Sequence, residues 1–268
     1  MGDKPTNRRD KPEWYFTKIE FLSGMVQMAV DKLERDLEHV QFDDTLFSHT
    51  VDEALGFDRE LRDLYPYPAA LPSAASVLTQ AQVFVKWIQM ESKFARDKMR
   101  RMLSSATAWS EVCLDNRTTE VNRTYLAILS SMTDRYSALL QPGHKLQFVD
   151  LQIELTKELC LSFEEVLQEE RQGDALNSRL PAVLNTASYL MTSLQQWQAT
   201  PEMLLLEHYK DQYVDKTGSE GLDSDENSGI FQSVLNRLEV FKKESLDTLC
   251  NAIMYEVKAE TRPYRKDR

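Results

Sequence analysis

The sequence is poor in the residues that interrupt helices, with 8 glycines and 9 prolines among 268 residues. Its apolar residues recur at intervals of three and four rather than at alternate positions, which argues against a β-sandwich or a βαβ array. The hydrophobic fraction of 42% is enough for a real core, so disorder is not the default. We therefore predict an all-α fold of few, long helices.

Long apolar runs and targeting signals are also missing. The sequence contains no run of about eighteen uncharged apolar residues, which is the length needed to span a bilayer. Its first dozen residues are polar, unlike a signal peptide. The 3 cysteines are far apart, odd in number and without metal or redox spacing. We interpret the chain as cytosolic, with thiols packed as small apolar residues. In that compartment the Asn-x-Thr patterns at Asn116 and Asn122 are chance matches.

The sequence contains no constellation of catalytic or metal-binding residues. It has no Gly-rich phosphate loop, and its histidines lack a second ligand at metal spacing. The paired acids Glu164–Glu165 and Glu169–Glu170 fall on the polar face of a striped helix, where solvation explains them. The acids of segment 223–227 lack the central glycine and closing glutamate of a calcium loop. We predict no catalytic residue, no metal, no cofactor and no enzyme activity.

One cluster of basic residues invites a functional interpretation. The net charge of −11 opposes binding to nucleic acid or to an anionic membrane over most of the surface. Against that background, one helix face carries five cations: Lys93, Arg96, Lys98, Arg100 and Arg101. They either form a solvated face paired with Glu91 and Asp97, or bind an acidic partner segment or phosphoinositide headgroups.

The segment from Asp134 to Leu167 joins a helix end, a Pro-Gly break and a long helix with two apolar rows. A helix with two apolar rows must be covered on two sides, so it belongs inside a bundle. The first row comprises Leu146, Val149, Ile153, Cys160, Phe163 and Leu167. The second comprises Phe148, Leu155, Leu159 and Val166. We predict two stacked antiparallel bundles, divided at this break.

The predicted organisation is a disordered tail at 1–10, a first bundle at 11–141 and a second at 142–268, with an acidic mobile loop at 215–229. Apolar spacing also predicts the buried face of several helices. For the first helix this face is Trp14, Ile19, Leu22, Val26, Val30, Leu33 and Leu37. For the second it is Leu46, Phe47, Val51, Leu55, Phe57, Leu61 and Leu64. For the last it is Phe231, Val234, Leu238, Phe241, Leu249, Ile253 and Val257.

Several blocks, in this order, resemble the tether subunits called RINT-one in animals and Tip-twenty in yeast. They are PEWYF, FDDTLFSHTVDEALGFDREL, YPYP, WIQMESKFARDKMRRMLSSATAW, TDRYSALLQPGHKLQFVDLQIELTKEL, SVLNRLEVFKKESLDTL and VKAETRPYRKDR. The resemblance covers nearly the whole chain. The join at residues 17–19 is shorter than we expect for the family, which indicates a natural or engineered deletion. The family also extends beyond both ends, so the chain is interpreted as a segment of a longer protein.

The resemblance implies an elongated rod of stacked helical bundles, the CATCHR-type fold of tether subunits. It implies a non-enzymatic scaffold of the NRZ or Dsl complex, which captures COPI vesicles returning from the Golgi. The implied partners are ZW-ten-like and NBAS-like subunits, SNAREs of the endoplasmic reticulum, and autophagy or checkpoint proteins, without direct contact to nucleic acid. The implied location is cytoplasmic, peripheral on the endoplasmic reticulum membrane. The alternative is a peripheral lipid-binding rod that uses the basic face 93–101.

Overall fold

The computed structural model describes residues 13–65, 67–113, 118–171, 173–217 and 229–262. These residues are almost entirely helical, which confirms the all-α prediction. The helices are α1 (Glu13–Val40), α2 (Asp44–Leu64), α3 (Ala74–Leu78), α4 (Ala81–Leu103), α5 (Glu120–Ser137), α6 (Pro142–Glu170), α7 (Leu180–Gln198), α8 (Pro201–Thr217) and α9 (Gln232–Glu260). Two short antiparallel strands, β1 (Glu111–Cys113) and β2 (Thr118–Thr119), precede α5.

The chain divides into two compact units. The first unit contains residues 1–92 and 134–144, and the second contains 93–133 and 145–268. The predicted bundles 11–141 and 142–268 stay a prediction. The tail predicted at 1–10 lies outside the described residues, as does most of the loop predicted at 215–229.

In the first unit, α1, α2 and α3 pack against one another. The buried face of α1 matches the predicted spacing from Leu22 onward, through Val26, Val30, Leu33 and Leu37. The prediction for Trp14 is wrong, because this side chain is 65% exposed. Trp14 lies in the first turns of α1, where no described element covers it.

Helix α2 begins and ends where its local sequence predicts. The Asp43 carboxylate accepts hydrogen bonds from the amides of Thr45 and Leu46, at 2.9 and 3.1 Å, as an N-cap does. The helix ends at Leu64, just before the Tyr65-Pro66 pair, since a residue that precedes proline avoids the helical conformation. Its predicted buried face is correct at four positions, Phe47, Val51, Leu55 and Leu61. It is wrong at Leu46, Phe57 and Leu64, which are exposed.

A buried carboxylate starts α3, and local sequence did not predict it. Ser73 occupies the N-cap position without making a side-chain cap. The Asp58 carboxylate instead accepts hydrogen bonds from the amides of Ala74 and Ala75, both at 2.9 Å. Asp58 belongs to α2 and is fully buried, and Arg62 lies 3.6 Å from it. A tertiary contact thus supplies the cap of this helix.

In the second unit, α6 is buried along both predicted rows except at Leu146, which is half-buried, and this confirms the two-sided helix. The Phe163 ring contacts the rings of Trp109 and Phe241, with centroid distances of 6.1 and 5.6 Å. The Tyr125 hydroxyl lies 2.7 Å from the Thr156 hydroxyl, which in turn donates to the carbonyl of Gln152 at 2.6 Å. The helix therefore forms the centre of this unit.

Helix α9 is buried in its first half and exposed in its second. Val234, Leu238, Phe241 and Ser245 are buried, and α7 packs against this helix. The prediction that Ile253 and Val257 are buried is wrong, since they are 48% and 51% exposed. Apolar spacing continues past Ser245, but no described element covers that face.

Candidate functional site

The basic face of α4 does not form one continuous strip. The Arg96 guanidinium donates from Nε and Nη2 to Glu158 of α6, with the shortest contact at 2.7 Å. This hydrogen bonding raises the pKa of Arg96. Because α4 turns about 100° per residue, Arg96 and Lys98 point to nearly opposite sides. Arg96 is therefore used to join two helices of the second unit.

The remaining cations of the face are more exposed. Arg100 donates to the Asp97 carboxylate at 3.1 Å, and Arg101 donates to the Asp97 carbonyl at 3.2 Å. Asp97 is thus the intrahelical partner that the sequence predicted. Lys93 and Lys98 are exposed on the same helix. Binding of a partner or headgroup by this face stays a prediction.

Glu91, the other predicted partner of the basic face, has a different role. It is buried and accepts a hydrogen bond from the Trp87 indole at 3.0 Å. It also pairs with Arg135 of α5, whose second terminal nitrogen lies 2.9 Å from the Asp52 carboxylate of α2. One arginine therefore joins three helices of the first unit. The four-residue spacing of Trp87 and Glu91 was the one sequence signal for this cluster.

Three of the four paired acids of α6 form ion pairs. Glu164 accepts hydrogen bonds from Nε and Nη2 of Arg237 in α9, at 2.6 and 2.7 Å. These bonds lower the pKa of Glu164 and raise that of Arg237. Glu169 and Glu170 both pair with Arg179. The interpretation of these acids as solvated is correct for Glu165 and Glu169, which are exposed, whereas Glu164 and Glu170 are half-buried.

The two cysteines whose side chains are described differ in environment. Cys160 is buried in α6, as predicted, and burial raises the pKa of its thiol to about 12. Cys250 is exposed on α9, so its prediction as a core residue is wrong. The side chain of Cys113 lies outside the described residues. Cys250 is thus an accessible thiol on the uncovered half of α9.

Other sequence features receive a simpler account. Asn122 is buried in α5, where a folded chain offers no access to a glycosylating enzyme. Within the described ranges, no three His, Cys, Asp or Glu side chains are placed to hold a metal ion. The acids of 223–227 lie outside those ranges. No described helix is long and apolar enough to cross a membrane.

The uncovered half of α9 borders a cavity of about 750 Å³ in the second unit. One wall is the segment after α6, with Arg171, Asp174 and Ala175. The other wall is a face of α9 from Glu244 to Glu256. Arg171 and Glu244 pair across the cavity at 2.6 Å. The sequence carries no signal for this cavity, because the cavity depends on where α9 passes the end of α6.

An apolar row lies on the second half of α9. It consists of Leu246, Leu249, Ile253 and Val257; Leu249 is half-buried and the other three are exposed. At about 100° per residue, these four positions fall within about 80° of the helix circumference. Of the α9 residues that line the cavity, Glu256 is the nearest to this row around the helix, whereas Glu244, Asp247 and Tyr255 lie about 80° or more from it. We call the four apolar residues of the row the α9 row.

A second exposed apolar row lies in the first unit, on α1. Trp14, Phe21 and Met28 are separated by seven residues, Met25 lies between the last two, and all four are exposed. Two neighbouring lysines are already engaged. Lys18 lies over the Tyr65 ring, 5.1 Å from its centroid, and Lys32 pairs with Asp36. We call this row the α1 row.

Two comparisons with known proteins match nearly the whole chain and point to the same family. Residues 17–268 match the RINT-1/TIP-1 family. A RINT1-like protein of Drosophila melanogaster is 30% identical over 302 residues, which cover 99% of this chain and 40% of that protein. The chain thus spans about two fifths of the length of this curated relative. No solved structure matches the chain.

Proposed function

The chain belongs to the RINT-1/TIP-1 family, and from this membership we propose that it is a non-enzymatic scaffold segment of a multisubunit vesicle-tethering complex. The match over residues 17–268 carries this proposal. In the proposed role, the complex captures COPI vesicles that return from the Golgi to the endoplasmic reticulum. In that role the chain acts in the cytoplasm, peripheral to that membrane.

The packing of the helices supports a scaffold role. Forked arginine–carboxylate pairs join helices within the second unit, as Arg96 does with Glu158 and Arg237 with Glu164. Such two-pronged hydrogen bonds fix the relative orientation of the two side chains as well as their distance. Helices that are held in this way keep a fixed relative orientation, which a scaffold requires.

The proposed partners are helical segments of other proteins. They comprise ZW-ten-like and NBAS-like tether subunits, SNAREs of the endoplasmic reticulum, and autophagy or checkpoint proteins. A surface built from helices accepts a partner helix through apolar anchors spaced one turn apart. Among the residues that the structure describes, the α1 row and the α9 row are exposed, with members three, four or seven residues apart.

The proposal is tested by capture of recombinant cytosolic domains of endoplasmic-reticulum SNAREs on the immobilised 268-residue chain. We expect at least one SNARE domain to be retained after washing at physiological salt, and an unrelated helical protein of similar charge to be lost. Failure of every SNARE domain to bind would contradict the proposed partner class. Small-angle scattering of the same sample tests the predicted rod, since a compact particle would exclude it.

The alternative proposal is a lipid-binding role for the basic face of α4. The observation that favours it is the exposure of Lys93, Lys98, Arg100 and Arg101 along three turns of one helix. Flotation with liposomes that contain phosphoinositide tests it, with neutral liposomes as the control. If lipid binding is the role, Lys98→Glu with Arg101→Glu abolishes flotation and leaves SNARE capture unchanged.

A further inference from the structure

We propose that Ser104 is a phosphorylation site for a serine/threonine kinase that selects arginine, and that Arg100 and Arg101 bind the phosphate once it is attached. Phosphorylation would add a covalent switch to the basic face of α4. The site stands without either proposed function, whereas its effect on lipid binding rests on the alternative proposal above. All three residues belong to the second unit.

Ser104 is the first residue after α4, and its side chain is exposed, as are those of residues 105–107. The hydroxyls of this turn are held differently. Those of Ser105 and Thr107 lie 3.0 Å apart, and the Ser105 hydroxyl also accepts a hydrogen bond from the Thr107 amide at 3.3 Å. The Ser104 hydroxyl donates to the carbonyl of Arg101 at 3.1 Å. Because Ser105 is engaged twice within the turn, Ser104 is the easier of the two serines to extract.

Two arginines precede Ser104, Arg101 by three residues and Arg100 by four. Kinases distinguish their substrates by the pattern of charge around the acceptor, and one large class binds an arginine at the third preceding position in an acidic pocket. A guanidinium suits such a pocket because it donates two parallel hydrogen bonds to a carboxylate. Arg101 is exposed, and its Nε donates to the backbone carbonyl of Asp97 at 3.2 Å. A kinase carboxylate would replace this neutral acceptor with a charged one.

The last turn of α4 must open before a kinase can bind the motif, since kinases take substrate segments in an extended conformation. Met102 is buried and Leu103 is half-buried. Opening therefore exposes one methionine side chain and part of one leucine. Helix ends open more readily than helix interiors, and this end leads directly into the exposed turn 104–107. We expect the folded chain to be modified more slowly than a free peptide of residues 98–108.

The attached phosphate would lie between two guanidiniums. The amide of Ser104 donates to the carbonyl of Arg100 at 3.0 Å, so the helical path continues through Ser104. At about 100° per residue, Arg100 and Arg101 lie about 40° and 60° from Ser104, on opposite sides of it. Side chains three and four residues apart on a helix are within reach of each other. A phosphate at this position therefore competes with Asp97, to which Arg100 now donates at 3.1 Å.

The reaction consumes ATP. A bond forms between the Ser104 Oγ and the γ-phosphorus of ATP, the bond from that phosphorus to the β–γ bridging oxygen breaks, and ADP leaves. The hydroxyl proton passes to the catalytic base of the kinase.

The phosphate changes the charge of the basic face. Apart from Arg96, which is bonded to Glu158, the face carries four exposed cations beside the carboxylate of Asp97. A phosphoserine adds about two negative charges at neutral pH. Phosphorylation of Ser104 therefore cancels most of the net positive charge of this face, which weakens its attraction for an anionic surface.

Phosphorylation of the 268-residue chain by the catalytic domain of a calmodulin-dependent protein kinase tests the site, since this kinase selects arginine three residues before the acceptor. We expect mass spectrometry to place the phosphate on Ser104, and Ser104→Ala to lower incorporation about tenfold or more. Arg101→Gln should lower it as strongly. Lys98→Gln removes a neighbouring cation outside the motif and should leave it unchanged. The peptide 98–108 is the control for kinase activity. With that peptide modified, no incorporation into the chain, or incorporation unaffected by Ser104→Ala, would overturn the proposal.

Phosphorus NMR of the phosphorylated chain tests the two arginines. A guanidinium partner favours the doubly charged phosphate, so the pKa of the phosphoserine should be lower in the folded chain than in urea. Arg100→Gln retains Arg101 for the kinase and should remove part of this difference. Equal pKa values in the folded and the unfolded chain would refute the binding of the phosphate by Arg100 and Arg101.

Flotation with phosphoinositide liposomes separates the switch from the lipid-binding alternative. If the unmodified chain floats, the phosphorylated chain should float less by about tenfold, and kinase-treated Ser104→Ala should float as before. Equal flotation of the phosphorylated and unmodified chains would refute the switch. If the unmodified chain does not float, the lipid-binding alternative fails, and the site is decided by the mass spectrometry and the NMR.

Discussion

Helices α6 and α9 have the same length, 29 residues, and the same kind of apolar spacing, but they differ in how much of their apolar surface is buried. Along α6, buried side chains continue from Phe148 to Leu167 on two sides. Along α9 they stop at Ser245, and the following turns expose Ile253 and Val257. Apolar periodicity thus identifies a face that requires a neighbour, but does not say whether the neighbour lies within the same chain.

The sharpest test of this contrast compares one apolar truncation in each helix. Phe163→Ala in α6 removes a fully buried ring that contacts Trp109 and Phe241. We expect it to lower the free energy of unfolding of the second unit by about 3–5 kcal/mol, through lost burial and the cavity left behind. Ile253→Ala in α9 should change it by less than about 0.5 kcal/mol. Urea unfolding followed by circular dichroism measures both, and similar losses would contradict the assignment of α9 as uncovered.

The same contrast between buried and exposed positions applies to the two helix caps of the first unit. Asp58→Ala leaves the amides of Ala74 and Ala75 buried without acceptors, which we expect to cost about 2–4 kcal/mol of stability. Asp43→Ala removes an exposed cap of α2 and should cost about 1 kcal/mol. Thermal unfolding of both variants provides the measurement. An Asp58→Ala variant as stable as Asp43→Ala would show that water replaces the lost carboxylate.

A smaller effect is expected from the partly exposed ion pair that joins α6 to α9. The folded protein lowers the pKa of Glu164 below its ordinary value of 4.5. The pair therefore stabilises the fold above that ordinary pKa, and its contribution is lost as pH falls through the lowered value. Glu164→Gln should cost about 0.5–1 kcal/mol at neutral pH, since solvent screens the pair.

The pH dependence distinguishes this pair from a general charge effect. The stability difference between wild type and Glu164→Gln should shrink in acid. Glu165→Gln removes the same charge at an exposed position and should show little difference at either pH. A pH-independent loss in Glu164→Gln would mean that packing, and not the ion pair, accounts for its effect.

The reactivity of the two thiols tests the same contrast between α6 and α9 without a substitution that would change stability. Cys250 is exposed on α9, whereas Cys160 is buried and its thiol has a pKa of about 12. The thiolate is the reactive form of cysteine. Maleimide should therefore modify Cys250 within minutes, and it should modify Cys160 only after the protein unfolds. Mass spectrometry of the labelled peptides gives the two rates, with a urea-treated sample as the control. Fast labelling of Cys160 in the folded chain would contradict its burial.

Much of the helical structure was predictable because its signals are local. The start of α2 at Asp43, its end before Pro66 and the two rows of α6 follow from capping, proline geometry and apolar spacing. The side chain that caps α3 was not predictable, because Asp58, sixteen residues before Ala74 in the sequence, supplies the cap through space. Local propensity carries no information about a cap supplied by another helix.

The candidate sites show the same limit. The charges of Arg96 and Glu164 were visible in the sequence, but their pairing with Glu158 and Arg237 required helices that are distant in sequence to meet. The exposure of the α9 row was not predicted, because Leu249, Ile253 and Val257 were interpreted as core. Spacing describes one helix at a time, whereas a site is formed by several.

By itself, the sequence determined that the chain is all-α, that α6 has two apolar faces and that the chain resembles a family of tether subunits. These properties depend on residue order over a few turns or on blocks of matching residues. The tertiary structure alone decided which apolar faces are covered, which charges pair and where α9 emerges from its neighbours. Burial and ion pairing require two surfaces to meet, and apolar spacing specifies only one of them.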